Sequence, residues 1–139
     1  MYLEGRVPDR MYTRMANAVG LERRTFWEGI AFTNFVQRVG DLRTDRPTDA
    51  RYREAGPPLR RLLDLLAPRG VWILGKEQAA YSEPVVKAAG IPVEVTAHPM
   101  SFGVKNSAMR ASWDALLARA TDPRNGDGTS ATAMPQSAG

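Results

Sequence analysis

The apolar residues of this chain follow two alternating patterns, and this alternation constrains the fold more than any other feature of the sequence. Short, nearly continuous apolar runs occur at residues 30–36 (IAFTNFV), 71–74 (VWIL) and 91–97 (IPVEVTA). Such runs are typical of strands that are buried on both faces of a parallel sheet. Helically spaced apolar residues separate the runs, so we predict an α/β fold, a three-layer αβα sandwich with a short parallel sheet of three strands.

Proline and glycine residues mark where the predicted helices begin and end. The four predicted helices cover residues 8–20, 58–67, 77–89 and 106–120. In the last helix we expect four apolar side chains to face the core, namely Met109, Trp113, Leu116 and Leu117. The charged stretch 38–56 contains a proline and is expected to be mostly loop.

The length of 139 residues fits one globular domain, and the composition changes near its end. Residues 121–139 contain no leucine, isoleucine, valine or aromatic residue. Such a segment buries too little apolar surface to offset the entropy lost on ordering. We therefore predict a folded domain over residues 1–120, a disordered tail over residues 121–139, and a monomeric protein.

The composition also excludes several classes of function. The chain has no cysteine, which excludes disulfides, a thiolate nucleophile and thiolate-bound metals and suits the cytoplasm, where we expect the protein. Its one histidine, His98, leaves a metal site to carboxylates alone, so we expect neither a metal nor another cofactor. No apolar run reaches the roughly 18 residues that a membrane span needs, and we expect no membrane partner. The formal net charge of +4 permits a polyanion as partner.

Polar residues occur where each predicted strand ends. Asn34 lies near the end of the first strand, Gly75 follows the second, and His98 follows the third. Ligands of open parallel sheets bind beyond the carboxyl ends of the strands, so we expect Asn34 and His98 to approach one crevice. The alternatives are that Asn34 bonds to loop backbone and that His98 has a structural role.

The segment after the third predicted strand combines a histidine with bulky apolar residues. His98 is followed by Pro99, Met100, Ser101 and Phe102. The proline stiffens the turn, and apolar side chains exposed on a stiff loop resemble the wedges that some proteins insert between stacked bases. The alternative is that Met100 and Phe102 fold back into the core.

Taken in order, IAFTNFVQ, RPT, a leucine-rich helix ending in P-x-G, VWILG and VTAHPMSFG resemble the later two-thirds of the uracil-DNA glycosylase superfamily. The resemblance covers roughly residues 27–117. It implies DNA that contains uracil as the partner, and base excision repair by hydrolysis of the N-glycosidic bond as the activity. It also implies a uracil-DNA glycosylase-like fold.

The same resemblance implies a role for each candidate site residue. Asn34 would read the uracil by donating to and accepting from its edge, and His98 would donate to the O2 atom of the leaving base. The implied substrate-binding residues are completed by Gly75, Pro99 and Ser101. Met100 and Phe102, on the base-flipping loop, would fill the space left by the flipped base.

The chain departs from this family at its first motif. It has no G-x-D-P-Y type loop, and the strand that the family places between the asparagine strand and the glycine strand is missing. The first acids on the loop beyond Asn34 are Asp41 and Asp45. We therefore expect uracil to be released slowly or not at all. Two alternatives stay open: a non-catalytic nucleic-acid-binding or nucleobase-binding remnant of this fold, and an unrelated Rossmann-like module.

Overall fold

The computed structural model describes residues 10–36 and 46–122. Its elements in chain order are α1 (Arg10–Val19), α2 (Arg23–Glu28), α3 (Asp49–Glu54), α4 (Gly56–Leu66), β1 (Val71–Leu74), α5 (Lys76–Ala88), β2 (Val93–Thr96) and α6 (Asn106–Ala120). β1 and β2 pair in parallel, with Val71 opposite Val93 and Leu74 opposite Thr96. Helix α5 connects them, so the chain has the mixed α/β class that the sequence predicts.

Helices pack on both faces of the two-stranded sheet. Because successive side chains of a strand point to opposite faces, Trp72 and Leu74 face one way and Ile73 the other. Trp72 and Leu74 pack against a cluster from α1, α2 and α6 that contains Met15, Ala16, Ala18, Val19, Phe26 and Met109. Ile73 belongs to a second cluster, formed with α4, α5 and β2, whose other buried members are Leu63, Ala79, Val86, Ile91 and Val93. The sheet therefore lies between two apolar clusters.

The predicted helices are confirmed where the structure describes them. Helix α6 has the predicted bounds, and α5 continues through Pro84. Gly20 and Gly90, which follow α1 and α5, both have φ of +74°. Glycine adopts this left-handed conformation without the steric cost that other residues meet, which explains why these two helices end where they do.

The predicted strand at residues 30–36 is wrong. These residues form no regular element and pair with no strand in the described part of the chain. The ring of Phe32 lies 5.4 Å from that of Tyr12 on α1, and the ring of Phe35 stacks on Tyr52 of α3 at 6.3 Å. The aromatic side chains of the segment thus pack on helices rather than on a sheet, and an apolar run alone does not distinguish these two environments.

Three smaller expectations are also corrected. The stretch 38–56 contains helix α3, because the hydroxyl of Thr48 accepts a hydrogen bond from the Arg51 amide and Tyr52 is buried. Helix α2 was not predicted, and the carboxylate of Glu22 caps it. Leu117 is 42% exposed and so does not face the core. Most of the predicted tail, residues 123–139, lies outside the described residues.

Candidate functional site

The segment between β2 and α6, residues 97–105, forms a loop whose turn is fixed by His98 and Pro99. The Ser101 amide donates to the carbonyl oxygen of His98 at 2.8 Å, with Pro99 at the second position of the turn, where its fixed φ is favoured. The Pro99 side chain is fully buried. It therefore anchors the loop in the core, while its neighbours on both sides are exposed.

Arg14 on α1 binds both ends of loop 97–105. Its guanidinium donates to the carbonyl oxygens of Pro99 and Val104 and, through Nε, to Oδ1 of Asn106 at 3.1 Å. Two nitrogens of one planar group thus hold the loop against α1, and the third binds the first residue of α6. Sequence reasoning missed this residue, because a single arginine in an amphipathic helix carries no local signal of a partner some 90 positions away.

The two bulky apolar residues of the loop point into solvent. Met100 is 50% exposed and Phe102 is fully exposed. The alternative, in which Met100 and Phe102 fold back into the core, is therefore wrong. A rigid loop thus presents a thioether chain and an aromatic ring at the protein surface.

The imidazole of His98 has a defined hydrogen-bonding direction. Its Nδ1 accepts a hydrogen bond from the amide of Met100 at 3.1 Å. A neutral imidazole that accepts at Nδ1 carries its proton on Nε2. The exposed His98 side chain therefore offers a donor at Nε2 to any acceptor placed beside the loop.

Asn34 lines a cavity that no residue of loop 97–105 lines. It is exposed, and it lines a cavity of about 270 Å³ together with Thr33, Phe35, Pro58, Leu59 and Leu62. His98 does not line that cavity, and neither Asn34 nor His98 lines the larger cavity between β2 and α6. The two residues expected in one crevice therefore share neither cavity. Asp41 and Asp45 lie outside the described residues.

A groove of about 640 Å³ runs between β2 and α6. We call it the β2–α6 groove; its lining includes Thr96, Ala97, Phe102, Lys105, Ala111 and Ser112. Lys76 also lines it and follows Gly75, whose φ of +130° turns the chain from β1 into α5. No ion pair within residues 10–36 and 46–122 involves Lys76 or Lys105. The groove therefore carries positive charge at the end where both strands finish.

The chemistry of the site is thus that of an apolar, cationic surface with one imidazole donor. Within the part of the chain that the structure describes, no three histidine or acidic side chains group as metal ligands, and no helix is long and apolar enough to cross a membrane. Comparisons of the chain with protein-family models, curated proteins and solved structures find no match.

Proposed function

We propose that this chain is a nucleic-acid-binding α/β domain of the uracil-DNA glycosylase type, with a three-layer αβα arrangement, and that it contacts a DNA strand through loop 97–105. The observation that carries the proposal is the exposed pair Met100 and Phe102 on a loop that Arg14 holds at both ends. Exposed aromatic residues on stable loops serve as stacking platforms for bases. Holding them in place beforehand reduces the ordering cost of binding.

The positive charge of Lys105 also favours nucleic-acid binding at the surface of loop 97–105. Lys105 lies at the end of the loop and is exposed. Lysine contacts to phosphates release counterions, so this contribution weakens as salt rises. Phe102 would stack on a base or enter a gap between two bases, while Lys105 contacts the backbone of the same strand. The combination accounts for binding with little dependence on sequence, because every base has a face that can stack.

Base excision requires more than binding, namely a donor to the leaving base and a residue that reads the same base. The Nε2 donor of His98 would stabilise negative charge on O2 of a leaving uracil. Asn34 would have to read the same base, yet it shares neither cavity with His98. We therefore propose binding as the activity of this chain and expect uracil release to be slow or absent.

Binding is tested by fluorescence anisotropy with a labelled single-stranded DNA that contains one uracil. Phe102→Ala should weaken binding by about tenfold, the amount that loss of one stacked base is worth. Met100→Ala should weaken binding to a smaller extent, because the thioether chain contributes an apolar wedge rather than a ring that stacks. Leu65→Ala is the matched control, since Leu65 is 81% exposed on α4 and lies outside the loop. Equal affinity of all these variants, or no binding at low salt, contradicts the proposal.

Single-turnover release of uracil from the same DNA separates binding from excision. We expect little release from the chain and no further loss in His98→Ala. Rapid release that His98→Ala abolishes would instead establish the chain as a glycosylase and assign the donor role to His98.

A further inference from the structure

Part of the outer edge of β2 has backbone groups that find no partner among the described residues. Val71 of β1 donates to the carbonyl oxygen of Pro92, and Gly75, which follows β1, donates to that of Thr96. The alternate residues of β2 therefore direct their backbone groups away from β1. Arg119 donates to one of these outward carbonyl oxygens, that of Val93. The outward groups of Val95 and Ala97 have no hydrogen-bond partner among the described residues.

The β2–α6 groove runs along this edge. Its wall on the α6 side is a row of small residues, Ala108, Ala111, Ser112 and Ala115, at the spacing of one helix face. Val95 and Ala97 line the opposite wall. A groove with an open strand edge on one side and small side chains on the other has room for an extended backbone, which lies about 4.8 Å from its neighbouring strand.

Charge differs between the two ends of the groove. At the end where β2 finishes, Lys76 and Lys105 line the groove, and helices α5 and α6 begin there with no side chain capping their first amides. Uncapped helix N-termini add positive potential and free donors. At the other end, Glu94 is already neutralised by Arg119 at 2.6 Å. The first end therefore favours a carboxylate.

We propose that the β2–α6 groove binds the C-terminal segment of a partner protein as an additional strand parallel to β2. The bound segment pairs with the outward groups of Val95 and Ala97, and its terminal carboxylate lies between Lys76 and Lys105. Strand addition gives affinity through main-chain hydrogen bonds, and pockets for alternate side chains give specificity. The alanine wall favours small apolar side chains in the bound peptide. The inference does not rest on nucleic-acid binding.

The test is a titration of the full chain with the labelled peptide Gly-Ser-Ser-Val-Thr-Val, once with a free carboxylate and once with a terminal amide. We expect the amide form to bind about tenfold more weakly, because it loses a charge-assisted contact. Lys76→Ala and Lys105→Ala should each reduce this difference between the two peptides. Amide hydrogen exchange at Val95 and Ala97 should slow when the carboxylate peptide is bound.

Steric variants on α6 locate the binding. Ala111→Trp fills the groove and should abolish peptide binding, whereas Leu117→Trp, on an exposed face of the same helix that does not line the groove, should leave it unchanged. Absence of binding up to about 1 mM peptide overturns the proposal. Slow exchange at Val95 and Ala97 in the free protein also overturns it, since a second copy or another part of the chain would then cover the edge.

Met100→Ala separates this proposal from nucleic-acid binding, because Met100 lies in loop 97–105 but does not line the groove. It should weaken binding of DNA and leave binding of the peptide unchanged. Equal loss of both ligands in Met100→Ala would contradict a separate peptide site.

Discussion

Arg14 donates a hydrogen bond to the carbonyl oxygen of Pro99, which lies 85 positions further along the chain. The same guanidinium binds the carbonyl oxygen of Val104, so one side chain of α1 fixes the start and the end of the loop that presents Met100 and Phe102. Arg14 therefore couples helix α1 to the candidate site, alongside the buried side chain of Pro99, which anchors the same loop in the core.

Replacing Arg14 tests this coupling. Arg14→Ala removes hydrogen bonds from a charged donor to two backbone carbonyls, and we expect the free energy of unfolding to fall by about 2 kcal/mol. Denaturant unfolding measures the change. Arg24→Ala is the matched control, because the exposed pair of Arg24 with Glu28 should contribute less than about 0.5 kcal/mol. Equal losses in the two variants would show that Arg14 does not hold the loop.

The sequence predicts those elements that are determined by signals within their own residues, such as apolar spacing and flanking proline or glycine. Helix α6 and strand β1 have the predicted bounds because helical spacing and a short apolar run between breakers are local signals. The inward orientation predicted for Leu117 is wrong, since a helix that packs on one face of a two-stranded sheet leaves more of its surface exposed than the spacing of its leucines suggests. The local sequence pattern thus predicts where an element begins and ends better than it predicts how much of the element's surface is buried.

Contacts between distant segments are not predictable in this way. Residues 30–36 have the composition of a strand, but Phe32 and Phe35 find aromatic partners on α1 and α3. For the same reason Asn34, expected at the end of a buried strand, is exposed. Of the candidate site, the sequence locates the loop from His98 to Phe102 but gives no indication of Arg14.

Gly75 provides a test of the connection between β1 and α5. Its φ of +130° lies in a region that residues with a side chain rarely adopt, so Gly75→Ala should cost about 1–3 kcal/mol of unfolding free energy. Gly90 has φ of +74° and open space around it, and Gly90→Ala should cost about 1 kcal/mol. Thermal unfolding ranks the two variants. A larger loss in Gly90→Ala would contradict the backbone argument.

The stacked pair Tyr52 and Tyr81 predicts loss of stability at high pH. The hydroxyl of Tyr81 donates to Asp49 at 2.8 Å, and this bond raises the pKa of Tyr81 above its ordinary value of 10.0. Burial raises the pKa of Tyr52 in the same direction. The folded-state pKa of each tyrosine therefore exceeds its unfolded-state pKa. The contribution of the two neutral tyrosines to the free energy of unfolding is complete below pH 10 and is lost as pH rises through the folded-state pKa.

The free energy of unfolding should therefore decline above pH 10, measured by urea unfolding at a series of pH values. Tyr81→Phe should make the decline shallower, since the hydroxyl that ionises is absent. Asp49→Asn is the second variant, because it removes the carboxylate but keeps the tyrosine hydroxyl. An unchanged alkaline decline in both variants would contradict the assignment to this pair.

The tautomer of the His98 ring provides a test of the hydrogen bond at its Nδ1 atom. The Met100 amide donates to Nδ1, so the neutral imidazole should carry its proton on Nε2, and long-range nitrogen–proton NMR correlations distinguish the two tautomers. Arg14→Ala should shift the population toward the Nδ1-protonated form, because the loop that places the Met100 amide against the ring loses its attachment to α1. Asn17→Ala, an exposed substitution on the same helix, is the matched control and should leave the tautomer unchanged. A ring protonated mainly on Nδ1 in the unaltered chain would remove the donor that the excision chemistry requires, while leaving the stacking surface of Phe102 intact.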